Sequence, residues 1–293
     1  MDQPRSAAKP FPIPVVAFGP GSQVEDENLD YLTMPQGMAT YRAPALPEPE
    51  ELHGHDGAVR ALRAVLAALD GDGPAVVPLA GLDAGELALV NQVLGEGEVS
   101  ARVLADPARP HLGQALVQES VFAGVWRVQA QASADAPWVD QVEVGAVPRA
   151  LLQAADEDGR GRDATVPAAP PGVMNAPAIL AELAEQRARW RAGEAAHVVN
   201  LSLLPVGPDD IGFIDHVLGT GRVLVLSRGY GNCRITDTRV PHTWRVVYYN
   251  SQDAVILNAI EVSHLPDVAC AAAEDLQDSR ERLAEVLAWV AQG

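Results

Sequence analysis

The sequence predicts an α+β protein made of two tandem, internally repeated α/β modules with mostly antiparallel sheets. Short segments recur in the same order in both halves of the chain. Residues 93–99 (VLGEGEV) match residues 217–223 (VLGTGRV) at five of seven positions, 124 residues further on. Trp126-Arg-Val recurs 118 residues further on, at Trp244. Ordered repetition of this kind indicates one supersecondary unit that is present twice.

Each module begins with the same predicted elements. They are a helix (56–69; 177–193), a short strand (75–80; 197–203) and a second helix (84–94; 209–218). Gly95 and Gly219 directly follow the second helix, where glycine commonly ends a helix.

The second part of each module is rich in strand-forming residues. The predicted strands are 98–104, 115–130 and 139–145 in the first module and 222–227, 233–239, 243–250 and 254–262 in the second. A closing helix is expected near Pro148 and near Pro266, because proline suits the first turn of a helix. The second closing helix extends over 267–290 in this prediction.

Two further segments complete the predicted organisation. Residues 1–48 are rich in Pro and Gly, which predicts an extended N-terminal arm, and its apolar side chains favour packing against a folded surface. Residues 156–176 are polar and then rich in Pro and Ala, as is typical of a linker. The first module is therefore expected at 49–155 and the second at 177–293.

Composition excludes several classes of function. The chain has 39 acidic and 21 basic residues and a formal net charge of −18, which argues against binding to nucleic acid. No apolar stretch is long enough to insert into a membrane, and no signal-peptide core is present, so we expect a cytoplasmic protein. Cys233 and Cys270 form no CxxC, and the seven histidines show no ligand spacing, so we expect no metal and no cofactor.

The candidate site is a loop between two predicted strands of the second module. Residues 223–239 read VLVLSRGYGNCRITDTR. Two glycines within three positions, Gly229 and Gly231, permit positive φ or close backbone approach. The candidate contact residues are Arg228, Gly229, Tyr230, Gly231, Asn232, Cys233 and Arg234. The run lacks the third glycine of a dinucleotide-binding loop, and no helix follows it, which argues against a nucleotide site.

Cys233 leaves two interpretations open. It is a candidate nucleophile if His242 or His264 acts as base and if Arg228 or Arg234 lowers its pKa. The second interpretation is a half-buried strand cysteine that packs against a core, and this is the more frequent outcome.

Several segments resemble one known family. They are LSLLP at 201–205, VLGTG at 217–221, LSRGYGNCRI at 226–235, ILNAIEV at 256–262 and AAAED at 271–275. Residues 19–35 of the N-terminal arm are similar to the start of that family as well. On these segments the chain resembles the hydrogenase expression/formation proteins called HupH or HyaF, over nearly its whole length.

The resemblance implies an accessory protein of [NiFe]-hydrogenase maturation, a chaperone rather than an enzyme. It implies binding to the immature iron–sulfur small subunit before twin-arginine export, with further hydrogenase accessory proteins as additional partners. We expect residues 228–234 to contact the partner, with Tyr230 as anchor and Asn232 holding the turn. Residues 106–113 of the first module lack this motif, so that module is expected to be structural. The alternatives are a redox or iron–sulfur-handling factor acting through Cys233 and a thiol-dependent enzyme.

Overall fold

The computed structural model describes residues 54–71, 73–160, 166–229 and 231–290. The N-terminal arm lies outside these ranges, as do Tyr230 and part of the predicted linker. The helices of the described ranges are α1 (Asp56–Leu69), α2 (Ala84–Leu94), α3 (Arg149–Gly159), α4 (Ala176–Arg189), α5 (Pro208–Leu218) and α6 (Ala273–Val290). Two 3₁₀ turns occupy Leu201–Leu203 and Asp267–Ala269.

The strands of the described ranges form a single antiparallel sheet. They are β1 (Ala75–Pro78), β2 (Val99–Val103), β3 (Gln114–Glu119), β4 (Val125–Gln131), β5 (Trp138–Val144), β6 (His197–Asn200), β7 (Val223–Ser227), β8 (Asn232–Asp237), β9 (Thr243–Tyr249) and β10 (Val255–Val262). Their order across the sheet is β1-β5-β4-β3-β2-β7-β8-β9-β10-β6. Every neighbouring pair is antiparallel.

The two modules meet at the pair β2–β7 in the middle of the sheet. The first module supplies one half of the strand order and the second supplies the other half in reverse. Ala101 pairs with Val225, and these residues occupy equivalent positions of the repeat. A pseudo-two-fold axis perpendicular to the sheet therefore passes through this pair. The α+β class, the antiparallel pairing and the two-module organisation are confirmed, and the two modules share one sheet.

Trp126 and Trp244 hold equivalent positions in the core. They are 1% and 2% exposed. The indole N–H of Trp126 donates to the Gly145 carbonyl oxygen (2.8 Å), and that of Trp244 donates to the Ser263 carbonyl oxygen (3.3 Å). A buried tryptophan needs such an acceptor, which explains why this residue type recurs at the same place.

Two buried carboxylates hold the start of the two central strands. Glu119 at the end of β3 accepts a hydrogen bond from the Val99 backbone N–H (3.3 Å). Asp237 at the end of β8 accepts one from the Val223 backbone N–H (2.8 Å). Burial raises the pKa of Glu119 to about 7 and that of Asp237 to about 8. These carboxyl groups occupy equivalent positions and satisfy equivalent donors, so the repeat extends to the hydrogen bonds of the interior.

The second glycine of each VLGxGxV segment lies against one of these carboxylate-bearing strand ends. A Cβ on Gly221 would overlap the carboxyl group of Asp237, and a Cβ on Gly97 would overlap the backbone carbonyl of Ser120. Close approach, rather than an unusual backbone angle, therefore requires glycine at both positions.

Three buried clusters fill the space between the sheet and the helices. On one face, α3 and the turn Asp267–Ala269 pack over the central strands. On the opposite face, α1, α2 and α6 pack over the first-module end of the sheet. Helices α4 and α5 pack over β6 and β10 at the other end of that face. The face that carries α3 is called the α3 face below.

A buried ion cluster ties the two modules together beside the central strands. Asp158 of α3 has a fully buried side chain and accepts hydrogen bonds from the backbone N–H (2.7 Å) and Nε (3.0 Å) of Arg222. Arg109 Nη2 donates to the same carboxylate (2.7 Å). The remaining nitrogens of Arg222 donate to Glu157 Oε2 (2.9 Å) and to the Gly113 carbonyl oxygen (2.6 Å). Each charged group of this cluster therefore has a partner of opposite charge, and Arg222 joins the second module to α3.

The structure differs from the predicted elements at five places. The predicted strand 197–203 ends at Asn200 and continues as the 3₁₀ turn Leu201–Leu203. The linker predicted from residue 156 begins later, because α3 extends to Gly159. The run 115–130 is two strands, because a tight connection interrupts it at Gly124, which has φ +79°. The predicted helix 267–290 begins as a 3₁₀ turn, and α6 starts at Ala273. The predicted helix 177–193 ends at Arg189. Among the helices of the described ranges, none combines the length and apolar character needed to cross a bilayer.

Candidate functional site

The predicted site lies on the hairpin formed by β7 and β8, at one end of the sheet. Ser227 pairs with Cys233, so residues 228–231 form the connecting loop. Asn232, Cys233 and Arg234 belong to β8 and alternate between the two faces of the sheet. The structure therefore places residues 228–231 at the end of the sheet and distributes Asn232, Cys233 and Arg234 over its two faces.

The loop itself is held close to the first module. The Arg228 backbone N–H donates to the Glu98 carbonyl oxygen (3.1 Å), which extends the pairing of β7 with β2 by one residue. A Cβ on Gly229 would overlap the carboxylate of Glu98, and Gly231 has φ +102°. The positive φ requires glycine at position 231, whereas a side chain at position 229 would displace the exposed carboxylate of Glu98. Tyr230 lies outside the described residues, so its role as anchor stays a prediction.

Cys233 is buried on the α3 face rather than presented at the surface. Its side chain is fully buried among the residues of the central cluster. Burial raises the pKa of its thiol to about 12, the carboxylate of Glu261 adds to the rise, and a hydrogen bond with Tyr248 offsets part of it. The thiol is therefore protonated at neutral pH, and a protonated thiol is a poor nucleophile and metal ligand.

The groups that would activate Cys233 lie elsewhere. His242 follows the far end of β8, and its ring centroid is 4.7 Å from that of Trp190. His264 packs against the same indole, with 6.5 Å between ring centroids. Arg234 points to the face opposite Cys233, because adjacent strand residues point to opposite faces. The structure does not bring the nucleophile, base and cation of the thiol hypothesis together.

Arg234 contributes to a different surface. Its guanidinium carbon lies 5.9 Å from the centre of the Tyr249 ring, within the range of a cation–π contact. Asn232 pairs with Tyr249 across the strands, so these residues of the candidate site share one neighbour.

Acidic residues surround the loop at the sheet end. Glu96 and Glu98 precede β2, which pairs with β7, and Asp253 lies in the turn after β9, which pairs with β8. All three are exposed. This end of the protein therefore presents carboxylates around the arginine and glycines of residues 228–231.

The equivalent loop of the first module is built differently. The Leu104 backbone N–H donates to the Arg222 carbonyl oxygen (2.8 Å), which matches the contact of Arg228 with Glu98. Beyond that point Arg109 enters the buried ion cluster, and it also pairs with Asp106 (2.7 Å). The first-module loop is therefore tied to the interior through Arg109, and its purely structural role stays a prediction.

Sequence reasoning missed the buried polar residues that hold the central strands. Asp237 and Arg222 hold the start of β7, and Glu119 holds the start of β2. A signal was available, because Glu119 and Asp237 are 118 residues apart, the spacing already found between the two tryptophans. Acidic residues that repeat with a structural period indicate a shared buried role.

Comparison with known protein families identifies the chain. The model of the HupH hydrogenase expression protein, C-terminal conserved region, matches residues 60–165 and again residues 173–290. The chain belongs to this family. Each match covers one module, so the family model itself recognises the tandem repeat.

Relatives in this family align with almost the whole chain. The hydrogenase expression/formation protein HoxQ of Cupriavidus necator is 54% identical over 96% of this chain and 98% of its own length. The hydrogenase expression/formation protein HupH of Rhodobacter capsulatus is 48% identical over 94% of this chain and 97% of its own. The hydrogenase-1 operon protein HyaF of Escherichia coli is 30% identical over 94% and 96%. These names support a role in hydrogenase maturation.

Proposed function

We propose that the chain is a chaperone of [NiFe]-hydrogenase maturation that binds the iron–sulfur small subunit before its twin-arginine export. The observation that carries the proposal is the family match over both modules, whose relatives are named for hydrogenase expression and formation. The hairpin end supports a protein-binding role, because Gly229 and Gly231 are exposed and the carboxylates near them are accessible to a partner.

The charge of the chain favours a basic partner segment. The formal net charge is −18, and Glu96, Glu98 and Asp253 lie around the loop. Such a field accelerates encounter with a basic segment and repels other acidic proteins. An arginine-bearing export signal on the precursor has this chemistry.

The alternative roles for Cys233 are less well supported. A redox or cluster-handling thiol must reach its substrate, whereas Cys233 is fully buried and its pKa is raised to about 12. An iron–sulfur cluster usually takes about four ligands. In the described part of the chain no three His, Cys, Asp or Glu side chains converge as a metal-binding group.

The experiment is co-purification of the tagged chain with the untagged small-subunit precursor from cells that synthesise both. We expect Tyr230→Ala with Asn232→Ala to reduce capture at least tenfold, about 1.4 kcal/mol in binding free energy. The matched control is Pro110→Ala with His111→Ala in the equivalent first-module loop, which we expect to capture normally.

Each outcome tests a separate part of the proposal. Normal capture by the Tyr230 and Asn232 variant would refute the loop as contact surface. Failure of the wild-type chain to capture the precursor would refute the small-subunit assignment. Loss of hydrogenase maturation in a folded Cys233→Ala variant would restore the redox alternative, because alanine fills the same buried position without a thiol.

A further inference from the structure

The centre of the sheet face opposite α3 carries a mixed apolar and basic surface. We call it the central strip. It consists of the side chains of β3, β2, β7 and β8 that point away from α3: Gln114, Leu116, Gln118, Ser100, Arg102, Leu224, Leu226, Asn232, Arg234 and Thr236. The helices that pack on this face form clusters with the outer strands at its two ends.

Several apolar side chains of this face are buried, although they belong to none of the three clusters described above. Leu224 and Leu226 are 8% and 3% exposed, and Val247 and Tyr249 on β9 beside them are 5% and 9% exposed. Among the described residues, none of these four belongs to the three buried clusters. A side chain that stands on a sheet face is shielded from solvent by whatever lies above that face. Their burial therefore points to a segment that covers the strip.

The strip also sets the chemistry of that segment. Arg102 lies between Leu116 and Leu224 across the strands, and Arg234 lies between Leu226 and a valine of β9. Strand spacing and rise put the two arginine Cα atoms about 12 Å apart. A covering segment with apolar side chains and carboxylates suits this face, since a basic segment would be repelled.

We propose that residues 24–32 of the N-terminal arm lie across the central strip. This segment reads VEDENLDYL and has four carboxylates, no basic residue and apolar residues at Leu29, Tyr31 and Leu32. Asp26 and Asp30 are four residues apart, which is about 13 Å in an extended chain and matches the separation of the two arginines. The apolar residues are available to cover the leucines of β7.

The point where the arm joins the described chain suits this path. Gly54 lies two residues before α1, and the Gly57 backbone N–H in the first turn of α1 donates to Glu86 Oε1 (2.6 Å) in the first turn of α2. The segment before α2 is tied to β5 by the Leu79 N–H, which donates to the Asp140 carbonyl oxygen (3.0 Å). The arm therefore enters on the face that carries α1 and α2, near the start of β5.

A shallow pocket lies between this entry point and the strip. Its volume is about 200 Å³, and its lining includes Leu116 of the strip and Trp138 and Val139 of β5, which are 50% and 48% exposed. From β5 to β9 the sheet spans about 29 Å, which about nine extended residues cross. The 53 residues before Gly54 are ample for this reach.

The proposal is tested on the purified full-length chain by photo-crosslinking. p-Benzoylphenylalanine replaces Leu116 or Thr236 on the strip, and a control probe replaces the exposed Arg149 on α3. After irradiation, mass spectrometry identifies the joined peptides. We expect the strip probes, and not the control probe, to form intramolecular adducts with peptides that contain residues 24–32.

Other adducts would overturn the proposal. Adducts of the strip probes between two molecules would assign the strip to a second copy of the chain. Adducts to the folded modules alone, or none, would also remove the arm from this surface. The test uses no hydrogenase component, so its failure leaves the small-subunit proposal standing, and a failed capture experiment leaves the arm proposal standing. Asn232 and Arg234 belong both to the strip and to the predicted partner contacts, so an arm that lies on the strip has to leave it before a partner contacts these two side chains.

A second measurement uses charge reversal. A glutamate-specific protease cleaves after Glu25 and Glu27, and docking should protect these bonds. Arg102→Glu with Arg234→Glu should raise the cleavage rate at least fivefold, whereas Arg189→Glu on the exposed surface of α4 should leave it unchanged. Equal cleavage rates in all three proteins would contradict the proposal. Far-UV circular dichroism verifies that each variant is folded, and the crosslinking result decides the case if one is not.

Discussion

Replacement of Asp158 by alanine should destabilise the whole protein by about 3 kcal/mol. The carboxylate is fully buried and accepts three hydrogen bonds from Arg222 and Arg109. Removing one partner of a buried ion pair costs about 3–5 kcal/mol, because it leaves an uncompensated charge in the interior. Asp158 also lies in the last turn of α3, where a negative charge is unfavourable by about 0.3–1 kcal/mol, and its removal returns that amount.

The assay is urea unfolding followed by circular dichroism, with thermal unfolding in parallel. A loss of about 3 kcal/mol lowers Tm by roughly 2–4 °C per kcal/mol for a chain of this order of size. The control is Glu185→Ala, which breaks the exposed helical pair with Arg189 and should cost at most about 0.5 kcal/mol.

A double variant separates the charge effect from simple loss of packing. Asp158→Ala with Arg222→Met removes the buried guanidinium together with the carboxylate that binds its Nε, so it should be more stable than Asp158→Ala alone. A single variant within about 1 kcal/mol of the wild type would refute the reasoning. A double variant that is less stable than the single one would show that the arginine has other stabilising roles.

Three further predictions concern thiols, protons and glycines. Cys233 and Cys270 of the folded protein should resist iodoacetamide at pH 8, because burial raises the pKa of both thiols to about 12. Both thiols should react in urea, and rapid labelling of the folded protein would contradict the prediction. The pKa of Asp237 is raised to about 8 in the folded state, so between pH 5 and 8 the folded protein binds a proton there that the unfolded chain does not. The Tm should therefore fall as pH rises from 5 to 8.5, and it should fall less steeply in Asp237→Asn. Gly97→Ala should cost about 1–3 kcal/mol in urea unfolding, whereas Gly73→Ala, which has open space, should cost little.

The local elements could be predicted from the sequence because their signals are local. The bounds of α1 and α2 were predicted as 56–69 and 84–94 and are found there. Helix α2 begins with a capping box between Asp83 and Glu86, and Gly95 is its C-cap, so residues next to the helix determine both of its ends.

The joining of the two modules into one sheet could not be predicted in the same way. Strand partners separated by more than a hundred residues leave no mark on local periodicity. The run Val223–Ser227 is buried at all five positions, which is typical of a central strand covered on both faces. That signal indicates a central position for β7 but does not name β2 as its neighbour.

The candidate site was predicted in part. The hairpin and its two glycines follow from the turn residues, whereas the side on which Cys233 lies depends on the register of β8. Cys233, Ile235 and Asp237 all lie on the buried face of β8. Because Asp237 is an acidic residue, the sequence does not mark this face as the buried one. The assignment of residues 228–234 as partner contacts and the domain bounds stay predictions.

The axis through Ala101 and Val225 suggests how such a chain arose. A half-length ancestor could have closed the same sheet as a homodimer, with two copies of one strand pairing about a true two-fold axis. Fusion into one polypeptide replaces association between molecules by an intramolecular step at high effective concentration. It also frees the two formerly identical loops to diverge, so that one became an internal brace and the other kept glycines at the surface. A single-chain descendant thus gains two different ends of its sheet, which no symmetric dimer of its halves possesses.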